Sequence, residues 1–367
     1  MQFTINRDAL LKPLQMVSGA IERRHTLPIL SNVLIEVSDT QLSLTGTDLE
    51  VELVATTDAL TIQSAGRITV PAKKLLDICR SLPDGSDIRV QLQGDNCILS
   101  CGKTKFTLST LSAAEYPNLE SWQGEVDIQL SRAQLRKLLD DTAFSMAHQD
   151  VRYYLNGLLF EVDNGAVKAV ATDGHRLALS TLELAGLVAQ QKQIIIPRKG
   201  VLEVMRLLSS DEQVITLSLG QNHIRLTDQS YVFSSKLIDG RFPDYRRVLP
   251  RNSTKLVTSH RSVLKDACTR ASILSNEKYR GVRFTLSNGE LQIVANNPEH
   301  EQAEEIIEVE YQGDPLEIGF NVGYVLDVLN TLTTDLVLLH LNDANSSALL
   351  EGVGNQGASY VVMPMRL

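Results

Sequence analysis

Four cysteines, one tryptophan and an aromatic content of 5% in 367 residues deny this chain several common routes to chemistry. Cys79, Cys97, Cys101 and Cys268 show no metal-ligand spacing and are too few for a disulfide framework, so reduced thiols are expected. Cys97 and Cys101 lie four apart in a strand-like run and share one face. No phosphate-binding loop occurs, and no apolar run approaches a membrane span. The chain opens directly on a strand-like MQFTI without a leader, which points to a soluble, cytoplasmic protein. In that setting the sequons at Asn252 and Asn345 carry no meaning. What is present, 43% hydrophobic and 22% charged residues, is enough for two or three well-buried cores.

The chain repeats itself with a period of about 125 residues. Arg7, Arg132 and Arg261 each precede a leucine-bearing helical stretch, at separations of 125 and 129. Asp48, Asp173 and Asn297 each end a short apolar strand pattern, at 125 and 124. Val70, Ile196 and Phe320 introduce a second helical stretch, and Phe106, Phe233 and Tyr360 open a closing strand. Four anchors in one order at one spacing mean three copies of one domain, each of ordinary independent size. Repeated linkers, Tyr116-Pro117-Asn118 and Phe242-Pro243-Asp244, set expected domains at 1–125, 126–253 and 254–367.

Each copy reads as strand, helix, alternating strands, second helix, strands, an α+β plan. In the second copy the helices are predicted from Ser131 to about Phe144 and from Pro197 to about Leu208. Pro71 and Pro197 are placed in a first helical turn, where a missing N–H costs nothing. Pro13 falls inside a helical pattern, which predicts a kink or a displaced boundary.

The formal net charge of −9 alone argues against a nucleic-acid binder. The average conceals a partition: five of the six helical stretches carry net positive charge. Helices sharing one surface would make it basic while the rest repels polyanions. Solvated helix faces rich in Lys and Arg are the plainer explanation for any single stretch.

The stretches SMAHQDVRYYLNG (Ser145 to Gly157), VATDGHRLA (Val170 to Ala178), KLIDGRFPDYRRVLP (Lys236 to Pro250), ILSNEKYRGVR (Ile273 to Arg283) and the C-terminal YVVMPMRL resemble the bacterial sliding clamps, the beta subunits of DNA polymerase III. The resemblance runs from the first strand to the last residue. It implies three DNA-clamp domains per chain, with helices lining the inside of a two-chain ring and antiparallel sheets outside. Twelve helices spaced about 10 Å apart on a circle leave a bore of about 28 Å, room for duplex DNA and water.

The function so implied is a processivity factor that encircles duplex DNA and tethers replication and repair proteins, with no chemistry, metal or cofactor of its own. Arg24, Lys73, Gln149, Tyr153 and Tyr154 would face the DNA through exchangeable phosphate contacts without sequence readout. Lys73 stands where relatives often have Arg, and a point charge suffices for a phosphate. In a strand, adjacent Tyr153 and Tyr154 would face opposite ways, which would bury one of them.

A peptide-binding pocket is implied at Leu155, Thr172, Gly174, His175, Arg176, Leu177, Pro243, Arg247 and Val248. It would be completed by Asn321, Tyr324, Ser347, Val361, Met363, Pro364, Met365 and Arg366. It would take extended peptides with apolar ends from the polymerase III catalytic subunit, the clamp loader, other polymerases, and mismatch-repair and ligase proteins. YVVMPMRL also reads as a closing core strand, and a pocket floor can be both. The implied homodimer contact sets Phe106 and Leu108 against the partner's Ile273 and Leu274. In the same contact Lys74, Lys103 and Lys105 face Glu299, Glu301, Glu304 and Glu305, with Gln302 where relatives often carry Glu.

Two other classes fit less well. Asp173-Gly174-His175 could suggest acid and base chemistry, but the first and third copies offer Leu49 and Pro298 near the histidine's place, and no nucleophile lies within the motif. A sequence-specific DNA-binding protein would need a recognition helix or basic arm, and neither is found.

Overall fold

The computed structural model describes residues 1–21, 27–117, 122–163, 165–184, 191–354 and 357–366. Among these lie six α-helices: α1 (Arg7–Val17), α2 (Ala72–Ser81), α3 (Arg132–Asp140), α4 (Arg198–Leu207), α5 (Arg261–Ser272) and α6 (Val322–Thr331). Two fall in each repeat. They form because apolar residues recur at helical spacing and bury one stripe: Ala72, Leu75, Leu76 and Cys79 in α2, Leu264, Ala267, Cys268 and Ala271 in α5. The opposite face of α2 exposes Lys73, Lys74, Asp77 and Arg80. Burial lifts the thiol of Cys79 to about 11 and those of Cys97 and Cys268 to about 12, so these cysteines are packing residues. None of the described helices is long and apolar enough to cross a membrane.

Among the described residues the strands form four antiparallel sheets. The same rung recurs in all three repeats, with Gly46 opposite Leu53, Ala171 opposite Ala178 and Ala295 opposite Ala303. The chain divides into two compact units, residues 1–133 with 202–237, and residues 134–201 with 238–367. In the first unit, the middle repeat's Val126–Ser131, Val214–Leu219, His223–Thr227 and Tyr231–Lys236 continue an eight-stranded sheet into the first repeat's Val51–Thr57 and its neighbours. Phe233 lies opposite Leu53 at that join. In the second unit, the middle repeat's Arg176–Glu183 joins the third repeat's Ala358–Val362, with Ala178 opposite Tyr360. The middle repeat gives one sheet to each unit, so compact units and repeats cut the chain differently.

The repeat anchors are structural. Arg7 donates to the carbonyls of Cys79 and Arg80 at the end of α2, and Arg261 donates to those of Leu329 and Thr334 at the end of α6. A guanidinium there meets orphan carbonyls and the negative end of the helix dipole. Arg132 instead grips the buried carboxylate of Asp228 through two bonds of 2.7 Å. Asp48 and Asp173 cap matching turns: Asp48 Oδ1 accepts from the amides of Glu50 and Val51, and Asp173 Oδ1 from those of His175 and Arg176. Leu49 takes a positive φ of 76° where its counterpart Gly174 takes 90°.

Several boundaries differ from the sequence expectation. Helix α3 stops at Asp140, and Phe144 lies in a separate 3₁₀ turn. Pro71 and Pro197 end strands at the edges of their sheets, where a missing donor is tolerated, and stand one residue before α2 and α4, Pro71 at the N-cap position, so they adjoin the first helical turn without lying in it. Helix α1 runs on through Pro13, which is buried with Leu10, Leu14 and Val17, so the boundary is not displaced.

A candidate peptide-binding groove

In the second unit, the turn after the strand Ala166–Thr172 and the edge-to-edge join with Ala358–Val362 leave an apolar cavity of about 200 Å³. Leu155, Thr172, Gly174, Arg176, Leu177, Pro243, Val248, Val361 and Met363 line it. So do four residues not assigned to it from the sequence: Arg152, Tyr154, Phe242 and Tyr245. The aromatic pair flanks Pro243 in the linker that repeats Tyr116-Pro117, and that repetition is the signal that could have pointed to them.

The linker wall is fixed from behind by a buried carboxylate. Glu161, on the strand Gly157–Asp163, is completely buried and accepts from Arg246 at 2.6 Å, from the Tyr245 hydroxyl at 3.3 Å and from Gln193. Burial first, then the Glu161 charge, pushes the Tyr245 hydroxyl up to about 12. A buried carboxylate held by a guanidinium leaves the wall little freedom to shift.

The opposite wall hangs on two arginines. Arg152 clasps Asp150 through both carboxylate oxygens and donates to the Asp173 carbonyl at 3.1 Å. That clasp holds the Asp150 carboxyl down at about 2. Arg176 is bound to Asp173, Asp327 and the Phe144 carbonyl, and its guanidinium lies 4.7 Å from the Tyr324 ring centroid. His175 is exposed and stacks on the same tyrosine, with ring centroids 6.4 Å apart. Asp173 is engaged by backbone amides and Arg176, an arrangement for holding a turn. The terminal segment is pinned by its backbone, Met363 N–H to the His175 carbonyl and Met365 N–H to that of Gly319.

The remaining residues predicted for the pocket stand around it. Asn321 caps α6 by accepting from the amides of Gly323 and Tyr324. Arg247 is exposed and pairs with Asp244, Ser347 is half-buried ahead of Ala348–Gly352, and Pro364, Met365 and Arg366 follow the last strand.

Gly174 combines a left-handed backbone with crowding, since a Cβ there would come within 2.8 Å of the Arg152 guanidinium. Gly174→Ala is expected to cost about 1–2 kcal/mol, read as a lower midpoint of urea unfolding, and to displace Arg152 from its clasp.

The residues predicted to face DNA are placed as follows. Arg24 lies outside the described residues. Lys73 is exposed on α2, and Gln149 has a positive φ of 55° in the turn before Asp150. Tyr153 and Tyr154 lie in a 3₁₀ turn, with rings edge to face at 5.7 Å. Tyr153 is exposed, while Tyr154 leans on the groove. Much of the helices' positive charge is answered within the chain, by Arg136 to Asp140, Lys137 to Asp141, Arg206 to Glu203 and Arg270 to Glu305. Net charge per helix therefore overstates what is left for an outside anion.

Of the residues predicted at the subunit contact, Lys74, Lys103 and Lys105 are exposed and Phe106 is half-buried, while Leu108 is already buried in its own chain. Ile273 is 75% exposed, and Leu274 beside it is half-buried. Glu301, Glu304 and Glu305 have local partners in Asn297, Gln292 and Arg270, and Glu299 is exposed.

Family profiles for the N-terminal, central and C-terminal domains of the DNA polymerase III beta subunit match residues 1–120, 129–244 and 246–366. The beta sliding clamp of Proteus mirabilis is 54% identical and that of Escherichia coli 52%, each over the whole of both chains. The crystal structure of the DNA polymerase III subunit beta from Pseudomonas aeruginosa superposes with a TM-score of 0.98 at 53% identity, again over all of both chains. Another structure of the Pseudomonas aeruginosa clamp, equally similar, is bound to griselimycin. Three successive domains of one protein are thus matched in order, and the chain belongs to the family of DNA polymerase III beta subunits, the beta sliding clamps.

Proposed function

We propose that two copies of this chain close into a ring around duplex DNA and that the groove in each holds a peptide of a protein kept at that DNA. Membership of the sliding clamps makes the chain a non-catalytic processivity factor of the replicative polymerase, so its work is tethering. Domains at 1–125, 126–253 and 254–367 suit this reading.

One observation carries the ring. At each internal join, the closing strand of one repeat pairs with the fourth strand of the repeat before it: Tyr231–Lys236 with Val51–Thr57, and Ala358–Val362 with Arg176–Glu183. Two counterparts remain at sheet edges, Thr104–Ser109 of the first repeat and Gln302–Glu308 of the third. An open edge of this kind is a template for another chain. Carrying over the register that sets Phe233 opposite Leu53 and Tyr360 opposite Ala178 puts Phe106 opposite the partner's Ala303. Lys105 then faces the partner's Glu304. The same pairing repeated once more closes two chains.

Lys73, Gln149, Tyr153 and Arg24 are proposed to meet phosphates, and Tyr154 to serve the groove as well. The groove's apolar lining and fixed walls suit short extended peptides with apolar ends. The catalytic subunit of DNA polymerase III, the clamp loader, other polymerases, and mismatch-repair and ligase proteins are the proposed carriers, in the cytoplasm at the nucleoid. The experiment is retention on nicked circular DNA in high salt after loading by the cognate loader with ATP, before and after one cut. A ring is kept by the circle and lost from the linear product. Equal retention on both forms would mean ordinary affinity and would end the reading.

A further inference from the structure

The strand register is not all that recurs at the joins; a lock of one acid and one arginine recurs beside it. At the first join, in the first unit, Arg206 on α4 is held by Glu203 at 2.8 Å and donates to the carbonyls of Gln15 at 3.3 Å and Met16 at 2.6 Å, in the last turn of α1. At the second join, in the second unit, Asp327 on α6 holds Arg176, which donates to the Phe144 carbonyl just beyond α3. In both, an acid on the second helix of one repeat orients a guanidinium onto a carbonyl at or after the end of the first helix of the repeat before. The arginine belongs to that second helix at the first join and to the earlier repeat's strand Arg176–Glu183 at the second, where the carbonyl lies in a separate 3₁₀ turn. The orphan carbonyls and the dipole make that end a natural seat for a cation.

Helices α2, α4 and α6 align residue for residue from Ala72, Arg198 and Val322, so Asp77, Glu203 and Asp327 are equivalent and Arg80 matches Arg206. Among the described residues, the side chains of Asp77 and Arg80 are exposed and take part in no hydrogen bond or ion pair that the structure records. Their target has the same form as at the first join. Counting α5 from Arg261 as α1 from Arg7, Thr269 and Arg270 match Gln15 and Met16, and Ser272 matches Ser18. The Ser18 hydroxyl donates to the Gln15 carbonyl at 2.7 Å, and the Ser272 hydroxyl donates to that of Thr269 at the same distance. The residue after that serine is Gly19, where a Cβ would lie 2.0 Å from Glu203 Oε2 and 2.3 Å from Arg206 Nη2; the third repeat has the exposed Ile273 there, so Arg80 must pass beside that side chain and cannot copy the Arg206 pose atom for atom. Phe144 holds this place at the second join and lies under the Arg176 guanidinium, 5.3 Å away.

We infer that Arg80, oriented by Asp77, caps the last turn of α5 of a second copy of this chain through the carbonyls of the partner's Thr269 and the partner's Arg270. The partner's Ile273 packs against the arginine's aliphatic stem. This rests on the head-to-tail pairing proposed above and adds to it a residue whose charge would otherwise be assigned to DNA.

The test is dilution of labelled dimer followed by sedimentation, for the wild-type chain, Arg80→Ala, Arg80→Lys and Asp77→Asn. Arg80→Ala should weaken the dimer about 10- to 100-fold. Arg80→Lys should recover only part of this, because a lysine lacks the fork that spans two carbonyls. Asp77→Asn should fall between wild type and Arg80→Ala. Arg80 is exposed, so an unchanged circular dichroism melt is expected throughout. A wild-type dimer that Arg80→Ala leaves unaltered would overturn the inference while the ring stands, and weaker DNA retention in the same variant would assign Arg80 to the duplex. A wild-type chain that stays monomeric at every concentration would overturn ring and inference together.

Discussion

Thr107→Pro should leave the chain folded and release it from circular DNA. The strand Thr104–Ser109 has its neighbour, Asn96–Cys101, on one side only. Thr110 N–H donates inward to the Asp95 carbonyl, so by the alternation of a strand the amides of Thr104, Phe106 and Leu108 point inward and those of Lys105, Thr107 and Ser109 point out. The internal join agrees: Lys236, the counterpart of Ser109, donates across it to the Glu50 carbonyl at 2.8 Å. A proline at Thr107 therefore removes a donor from the open edge and puts a ring in the path of the incoming strand, while the hairpin behind keeps its ladder. Losing the pairing should weaken the dimer at least 100-fold, about 2.7 kcal/mol, measured by sedimentation, and retention on nicked circles should fall with it. Phe106→Pro offers the contrast, since it breaks an inward bond and should lower the melting temperature of the chain itself. Register is checked by charge reversal: Lys105→Glu should weaken the dimer, and Lys105→Glu combined with Glu304→Lys should restore it. A Thr107→Pro chain with an unweakened dimer would mean that this edge is not the contact.

Much of this was legible because repetition supplies its own control. One Asp at the end of a strand says little, but Asp48 and Asp173 at the same point of the same pattern mark a repeated position, and the structure makes both into turn caps that accept from the amides two and three residues on. The apolar residues of α2 recur at helical spacing and are the buried ones, because burial follows from the chain's own periodicity. It could not show where a cation goes. Arg176 and Asp327 are 151 residues apart, and nothing local in either stretch encodes their meeting. For the same reason the basic character of the helices read as an outward property, although Arg7, Arg132 and Arg261 turn inward to carbonyls and a buried carboxylate. The proline placements missed by one residue: Pro71 and Pro197 end edge strands and stand immediately before the helices, because a missing N–H suits both places. In the groove, the turn and terminal strand were visible as motifs, whereas Phe242 and Tyr245 reach the cavity from a linker whose Tyr245 and Arg246 are held by Glu161, 84 and 85 residues earlier in the chain.

Met363→Asp should remove nearly all affinity for a partner peptide while leaving dimer and DNA retention intact. Met363 follows the last strand, its side chain lines the cavity and is 38% exposed, and its amide is the part that holds the chain in place by donating to the His175 carbonyl. Substituting the side chain therefore spares the backbone bond. An apolar peptide side chain seated against Met363, Val361, Leu177 and Val248 gains roughly 2–3 kcal/mol from burial. A carboxylate in that wall must stay hydrated, which keeps water where the peptide needs none. The expected loss is about 100-fold in Kd, read by fluorescence polarisation of a labelled peptide ending in apolar residues. Val248→Asp approaches the same cavity from the linker wall and should act in the same direction, and the two together should do less than the product of their single effects because they spoil one pocket. Urea midpoints of both variants should stay near wild type, since neither side chain is deeply buried. If Met363→Asp binds peptide as the wild-type chain does, the peptide sits elsewhere, and the exposed His175 and Tyr324 stack beside the groove is the next surface to test.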